Sequence, residues 1–194
     1  MTVATSSCAL RFDSGRLCLD LVATAAPPEE QLDGIGRLGE WLVGAGLVPP
    51  GSALGAVDEQ WVRRFTEARE YVADLVRAEL GGRPAPRALD HVNALAADPP
   101  PGIRAVRAAD GSLVRTLGGA PECAALLAAV ARDTVDLLTD PEARDRLRQC
   151  EGDNCRRLYL DTSRGRRRRW CSSEVCGNRE RVARHRRRAV AARA

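Results

Sequence analysis

Four of the seven cysteines are spaced as Cys150-x4-Cys155-x15-Cys171-x4-Cys176. Two close pairs joined by an arm suit a tetrahedral metal. Each pair supplies two thiolates from one turn, and the arm carries the second pair across to the first. Zn²⁺ takes four thiolates well, at about 2.3 Å, because it is borderline-soft and has no d-electron geometric preference. Four sulfur ligands close the coordination shell and leave no place for a reacting water, so such a zinc is structural. Neither pair has the C-x-x-C spacing of a thiol–disulfide exchanger. The expectation is one Zn²⁺ held by Cys150, Cys155, Cys171 and Cys176; four ordinary buried thiols or two disulfides are the competing reading. Cys8, Cys18 and Cys123 stand outside the group and read as isolated thiols.

The arm between the pairs must fold back on itself. Arg157-Leu-Tyr-Leu160 reads as a strand and Asp161-Thr-Ser-Arg-Gly165 as a turn, with basic residues and Trp170 after it. The expectation is a β-hairpin between two knuckles. Ser172 or Ser173 can cap a helix starting near Glu174, which places the last ligand pair at a helix N-terminus where the dipole favours thiolates. Knuckle, hairpin and ligand-bearing helix make a treble-clef-like order. Trp170 is expected over the knuckle and Tyr159 in the same small core.

These residues also carry a likeness. Trp170-Cys-Ser-Ser-Glu-Val-Cys-Gly-Asn-Arg179, with an Arg-rich stretch behind it, Cys150-x4-Cys155 before it and Leu160-Asp-Thr-Ser163 between, resembles the CGNR zinc finger family over about residues 145–190. The segment Gly15-Arg-Leu-Cys-Leu-Asp-Leu-Val-Ala-Thr24 resembles the start of the ABATE domain, which precedes that finger. Ser173 and Ala23 stand where family members often show Met and Asn; neither is a proposed ligand. The resemblance implies a stress-induced, DNA-binding transcription regulator of bacteria.

Charge divides the chain in the same place. The net charge of +4 hides an acidic body, with 13 Arg against 18 acids in residues 1–139, and a basic segment, with 17 Arg against 8 acids in residues 140–194. A basic module on an acidic body points to a polyanion. Arg164, Arg166, Arg167, Arg168 and Arg169 fall on the arm. Arg179, Arg181, Arg184, Arg186, Arg187 and Arg188 fall on the terminal helix. Counter-charge to a zinc tetrathiolate, or a solvated helix face, would also accommodate arginines, but few acids are interleaved as i,i+4 partners. Duplex DNA, held mainly through phosphates, is the expected partner. Arg179, Arg181 and Arg184 are the candidates to reach base edges; Asn178 could read adenine, but following a ligand it reads rather as structural. Two aromatics in the module are too few for a single-strand stacking platform.

Ahead of the module, apolar spacing predicts helices over 37–45, 59–80, 86–97 and from 121 to about 138. Asp58 is placed to cap the second. Residues 17–24 read as a short extended piece leading into a helix. Ile103 to Ala108 and Ser112 to Leu117 flank Asp110-Gly111 as a β-hairpin. The fold class is therefore α+β: a mostly helical N-terminal domain with a β-hairpin over 1–143, and a small treble-clef-like zinc module over 144–194. The first is expected to build its core without the second.

Two histidines, no P-loop, no nucleotide-binding glycine fingerprint and no H-E-x-x-H motif argue against an enzyme. No apolar run approaches the ~20 residues of a membrane helix. The N-terminus MTVATSSCAL has no basic segment leading an apolar stretch, so the expectation is a cytoplasmic protein without a signal peptide or membrane contact. A homodimer, and a small-molecule or protein signal acting on the N-terminal domain, are left open. The competing functions are an RNA- or protein-binding adaptor and, behind it, an enzyme in the N-terminal domain.

Overall fold

The computed structural model describes residues 9–25, 30–153 and 155–191, with side chains given up to residue 184. Cys8 lies outside the described residues. Among those described, seven helices and two antiparallel hairpins form.

Helices α1 (Leu17–Ala23), α2 (Ile35–Gly44), α3 (Glu59–Leu80), α4 (Pro86–Ala97) and α5 (Cys123–Thr139) build the main core. The α3 helix starts where Asp58 accepts a hydrogen bond from Trp61 N–H at 2.9 Å, the cap read from sequence. Its apolar stripe packs Phe65 edge-on to Trp41 of α2, with ring centroids 5.9 Å apart. On the other side α3 meets α4 and α5. Six of the seven residues of α1 are buried, including Asp20.

The start of α1 is capped from elsewhere in the chain. Its N-cap residue, Arg16, makes no side-chain cap bond, and Asp133 of α5 accepts from Cys18 N–H at 2.8 Å instead. Arg16 in turn reaches Asp133 Oδ1 at 3.0 Å. These contacts anchor α1 to α5 by satisfying amide groups that a helix start leaves open.

Strands β1 (Ile103–Arg107) and β2 (Leu113–Leu117) pair as expected, with Val106 opposite Val114. The hairpin stands off the body, however: Ile103 and Leu113 are exposed and only Leu117 reaches the core. After α5, a short helix α6 (Pro141–Arg146) appears that periodicity had not suggested. Asp140 ends one helix and starts the next, accepting from Glu142 N–H at 2.9 Å, and Pro141 takes the first helical position.

The second hairpin corrects the expected one. Strand β4 (Leu158–Leu160) pairs backward with β3 (Leu147–Gln149), Leu147 opposite Leu160, and not forward with the basic residues 166–170. The first cysteine pair therefore lies in the loop at the hairpin's tip. The forward arm is closed by side chains instead. Tyr159 Oη donates to Arg168 O at 2.7 Å, and the buried Asp161 carboxylate accepts from Ser163 N–H at 2.9 Å and Arg168 N–H at 2.8 Å.

Alternation along β4 separates two cores. Leu158, with Leu147, belongs to the main cluster, and Leu160 packs against it; Tyr159, between them, faces Cys150, Cys171 and Cys176. Gly15 lets the chain pass close to this strand. It sits at φ +90°, and a Cβ there would meet Leu160 Cβ at 3.2 Å. The expectation of a core built only from residues before 144 does not hold, because a three-residue strand has two faces and one of them is needed by the body. The last helix, α7, spans Cys176–Ala191.

Candidate metal centre and basic surface

Cys150 and Cys155 bracket the tip of the β3–β4 hairpin. Cys155 N–H donates to Gly152 O at 2.9 Å, which makes the turn, and Cys150 N–H donates to Arg157 O at 2.9 Å, which shuts it. Gly152 lies against the site: a Cβ there would stand 3.6 Å from Cys150 Sγ. Sequence reasoning gave it no role, since the glycine follows a ligand in an otherwise polar loop.

Cys171 and Cys176 arrive from the other side. Ser172 Oγ accepts from Glu174 and Val175 N–H, each at 3.2 Å, which closes a turn and not the helix start expected near Glu174; the helix begins two residues later, so Cys176 alone of the pair lies at its N-terminus. The turn it makes delivers Cys176 as the first residue of α7. Cys171 N–H donates to Cys150 Sγ at 3.3 Å, tying the two halves together.

The four sulfurs lie within 4.8 Å of one another. Cys171 Sγ is 3.8 Å from Cys155 Sγ and 3.6 Å from Cys176 Sγ. A tetrahedral zinc with bonds of about 2.3 Å sets its ligand sulfurs about 3.8 Å apart. Three of the residues are buried and Cys155 is half-buried. Four thiolates this close would repel one another without a cation between them. Its neighbours' hydrogen bonds, Cys171's first, draw the Cys155 thiol down to about 5. Burial pushes Cys176 up to about 11, and Cys171 is raised by its bond to Cys155 together with burial. The donor set and spacing fit one structural Zn²⁺, and bound metal would hold all four sulfurs ionised.

Trp170 packs against this cluster and Tyr159 is fully buried within it, both as expected. Arg168 stacks over Tyr159 at 4.8 Å, donates Nε–H to Trp170 O at 2.8 Å and bonds Cys171 O. Expected on an anion-facing surface, it is half-buried and occupied with holding the second knuckle. Arg169 pairs with Glu151 at 2.6 Å and Arg166 with Glu142 at 3.4 Å. Arg181 donates to Ser173 O at 3.3 Å. Arg164, Arg167, Arg179 and Arg184 are exposed and make no ion pair among the described residues. Arg156, not singled out from sequence, is exposed beside the first knuckle. The side chains of Arg186, Arg187 and Arg188 lie outside the described residues.

The two segments correspond to known families. A family model described as "Putative stress-induced transcription regulator", ABATE, matches residues 15–141, and the CGNR zinc finger matches residues 146–189. The chain belongs to the ABATE family. A CGNR finger follows the ABATE domain, in the order its sequence suggested. No curated protein is significantly similar to the chain. Neither family description names an enzyme. In the ABATE domain His91 stacks on Tyr71, with ring centroids 3.9 Å apart, a packing arrangement between α3 and α4. Among the described residues no helix is long and apolar enough to cross a membrane.

Proposed function

We propose that this ABATE-family protein is a stress-responsive regulator of transcription in the bacterial cytoplasm, and that its CGNR finger binds duplex DNA. The observation that carries the reading is the set of exposed arginines, Arg164, Arg167, Arg179 and Arg184, that make no ion pair among the described residues, on a segment with 17 Arg against 8 acids. Exposed guanidinium groups held on a zinc-fitted module suit a row of phosphates. Arg186, Arg187 and Arg188 continue that charge along α7. In this reading zinc takes no part in chemistry; it fixes the hairpin tip against the start of α7 so that the arginines keep their spacing.

The test is binding to random-sequence duplex DNA, and to RNA of equal length, across a salt series. If about five phosphates are neutralised, log K falls with log salt at a slope of about −4 to −5. Replacing Arg186, Arg187 and Arg188 together with Ala flattens the slope by up to ~3 and weakens all sequences alike. Replacing Arg179 or Arg181 alters preference among sequences if either reaches a base edge. Zinc content is measured in each variant. A salt-independent affinity, or tighter binding to RNA, transfers the finger to the adaptor reading.

A further inference from the structure

The zinc knuckle and the ABATE domain meet at a buried guanidinium. The backbone carbonyl of Arg157 accepts from Cys150 N–H at 2.9 Å and so closes the turn that presents the first two cysteines. Its side chain, 6% exposed, runs the opposite way and donates to Asp13 Oδ1 at 2.7 Å and Ser14 Oγ at 3.0 Å. Ser14, 1% exposed, relays the contact. Its N–H donates to Asp20 Oδ1 of α1 at 2.9 Å, and its carbonyl accepts from Leu160 N–H of β4 at 2.8 Å. From α1 the chain of contacts continues through Cys18 N–H to Asp133 of α5.

We infer that Arg157 is a positioning residue through which the metal knuckle and the ABATE domain share one folding equilibrium. Filling the site tightens α1 and α5, and loosening α1 weakens the hold on the metal. The cause is desolvation. A guanidinium this buried is tolerated only with its acceptors in place, and removing them leaves a costly unpaired charge. When the knuckle opens, the backbone that aims Arg157 at Asp13 and Ser14 is no longer fixed, so Asp13 and Ser14 lose their shared donor and the Ser14 N–H bond to Asp20 loses its support. Linkage makes the effect reciprocal: whatever disturbs the segment before α1 changes zinc affinity by the same factor. Lysine has no counterpart of the Nε–H that reaches Ser14 Oγ at 3.3 Å beside the Nη2 contacts, so Arg157→Lys restores the link only in part.

The experiment uses the full, zinc-loaded chain. Zinc release is followed against a chromogenic chelator, and amide hydrogen exchange is read over α1 and α5 with and without zinc. In the parent protein, zinc removal speeds exchange in both helices at least about tenfold. Arg157→Met releases zinc at roughly tenfold lower chelator concentration, in line with losses of supporting residues around metal sites. It also shrinks the zinc dependence of α1 exchange to less than half, and Arg157→Lys falls between. A merely structural role would speed exchange equally with and without metal and leave that dependence intact; this result, or parent α1 exchange indifferent to zinc, overturns the inference. Should Arg157→Met fail to fold, Ser14→Ala removes an acceptor from the opposite side. It must show both changes in the same direction, and parent values in Ser14→Ala overturn the inference equally.

Discussion

Arg157 Nη2 lies 2.7 Å from Asp13 Oδ1, an ion pair that spans 144 residues of chain. Asp13 is half-exposed, and burial alone would raise its pKa. The hydrogen bond from Arg11 and the charges of Arg157 and Arg11 outweigh that and hold the carboxyl below its ordinary range. The pair ties the segment before α1 to the edge of the zinc module. Four consequences of the structure can be measured.

Cys171→Ser abolishes stoichiometric zinc. Cys171 Sγ stands within 3.8 Å of two other ligand sulfurs, and its N–H supports a third. A segment of ~50 residues has too little core to fold without its staple, so the finger unfolds with the metal. Elemental analysis showing a full equivalent of zinc in the variant would remove Cys171 from the site.

A chain ending at Arg144 is markedly less stable than the whole. It lacks Leu147 and Leu158, both at most 1% exposed in the main cluster, as well as Arg157. Emptying two buried leucine sites costs about 4 kcal/mol or more, a large part of the 5–15 kcal/mol that holds an ordinary domain. Urea unfolding is the measure, with Leu147→Ala/Leu158→Ala in the full chain as reference. Equal midpoints for the truncated and full chains would show that the ABATE domain is self-sufficient.

Arg168→Ala and Arg167→Ala separate holding the finger from contacting a partner. The Arg168 side chain bonds the carbonyls of Trp170 and Cys171 and covers Tyr159, so its loss makes zinc easier to extract by chelator. Arg167 is exposed and makes no ion pair among the described residues, so its loss spares zinc and, on the proposed DNA-binding reading, reduces the salt slope of binding by about 1. Equal zinc retention in both variants would refute the structural role of Arg168.

Glu30→Gln destabilises the protein at neutral pH and not in acid. Arg69, 4% exposed at its side chain, donates to both Glu30 oxygens at 2.6 Å. The Arg69 bond, foremost, holds the Glu30 pKa below its ordinary value. A lowered folded-state pKa gives stability that is present above the unfolded value and lost as pH falls through the folded one. Glu30 is 43% exposed, so water reaches the pair and the loss at pH 7 is about 1–2 kcal/mol, less than for a fully buried pair. Unfolding midpoints of parent and variant, compared from pH 7 down to 3, should converge; a constant gap would exclude the ion pair as its cause.

Much of this protein is written locally. The Asp58 cap, the stripe of α3, the Asp110-Gly111 hairpin and the Ser172 turn follow from neighbours within a few residues, where spacing and turn chemistry suffice. The four cysteines announce a zinc site for the same reason, because metal geometry constrains spacing, and the adjoining Cys-Gly-Asn-Arg run marks the finger. Tertiary structure decided what depends on distant partners. Leu147 and Leu158 could have belonged to either core, and the pairing of β4 with β3 put them, although they lie in the finger segment, into the main core. Arg157 and Arg168 look in sequence like two more members of a basic run. Only packing shows one buried against Asp13 and the other bonded to the knuckle, since a guanidinium's role is set by the acceptors that the fold brings to it.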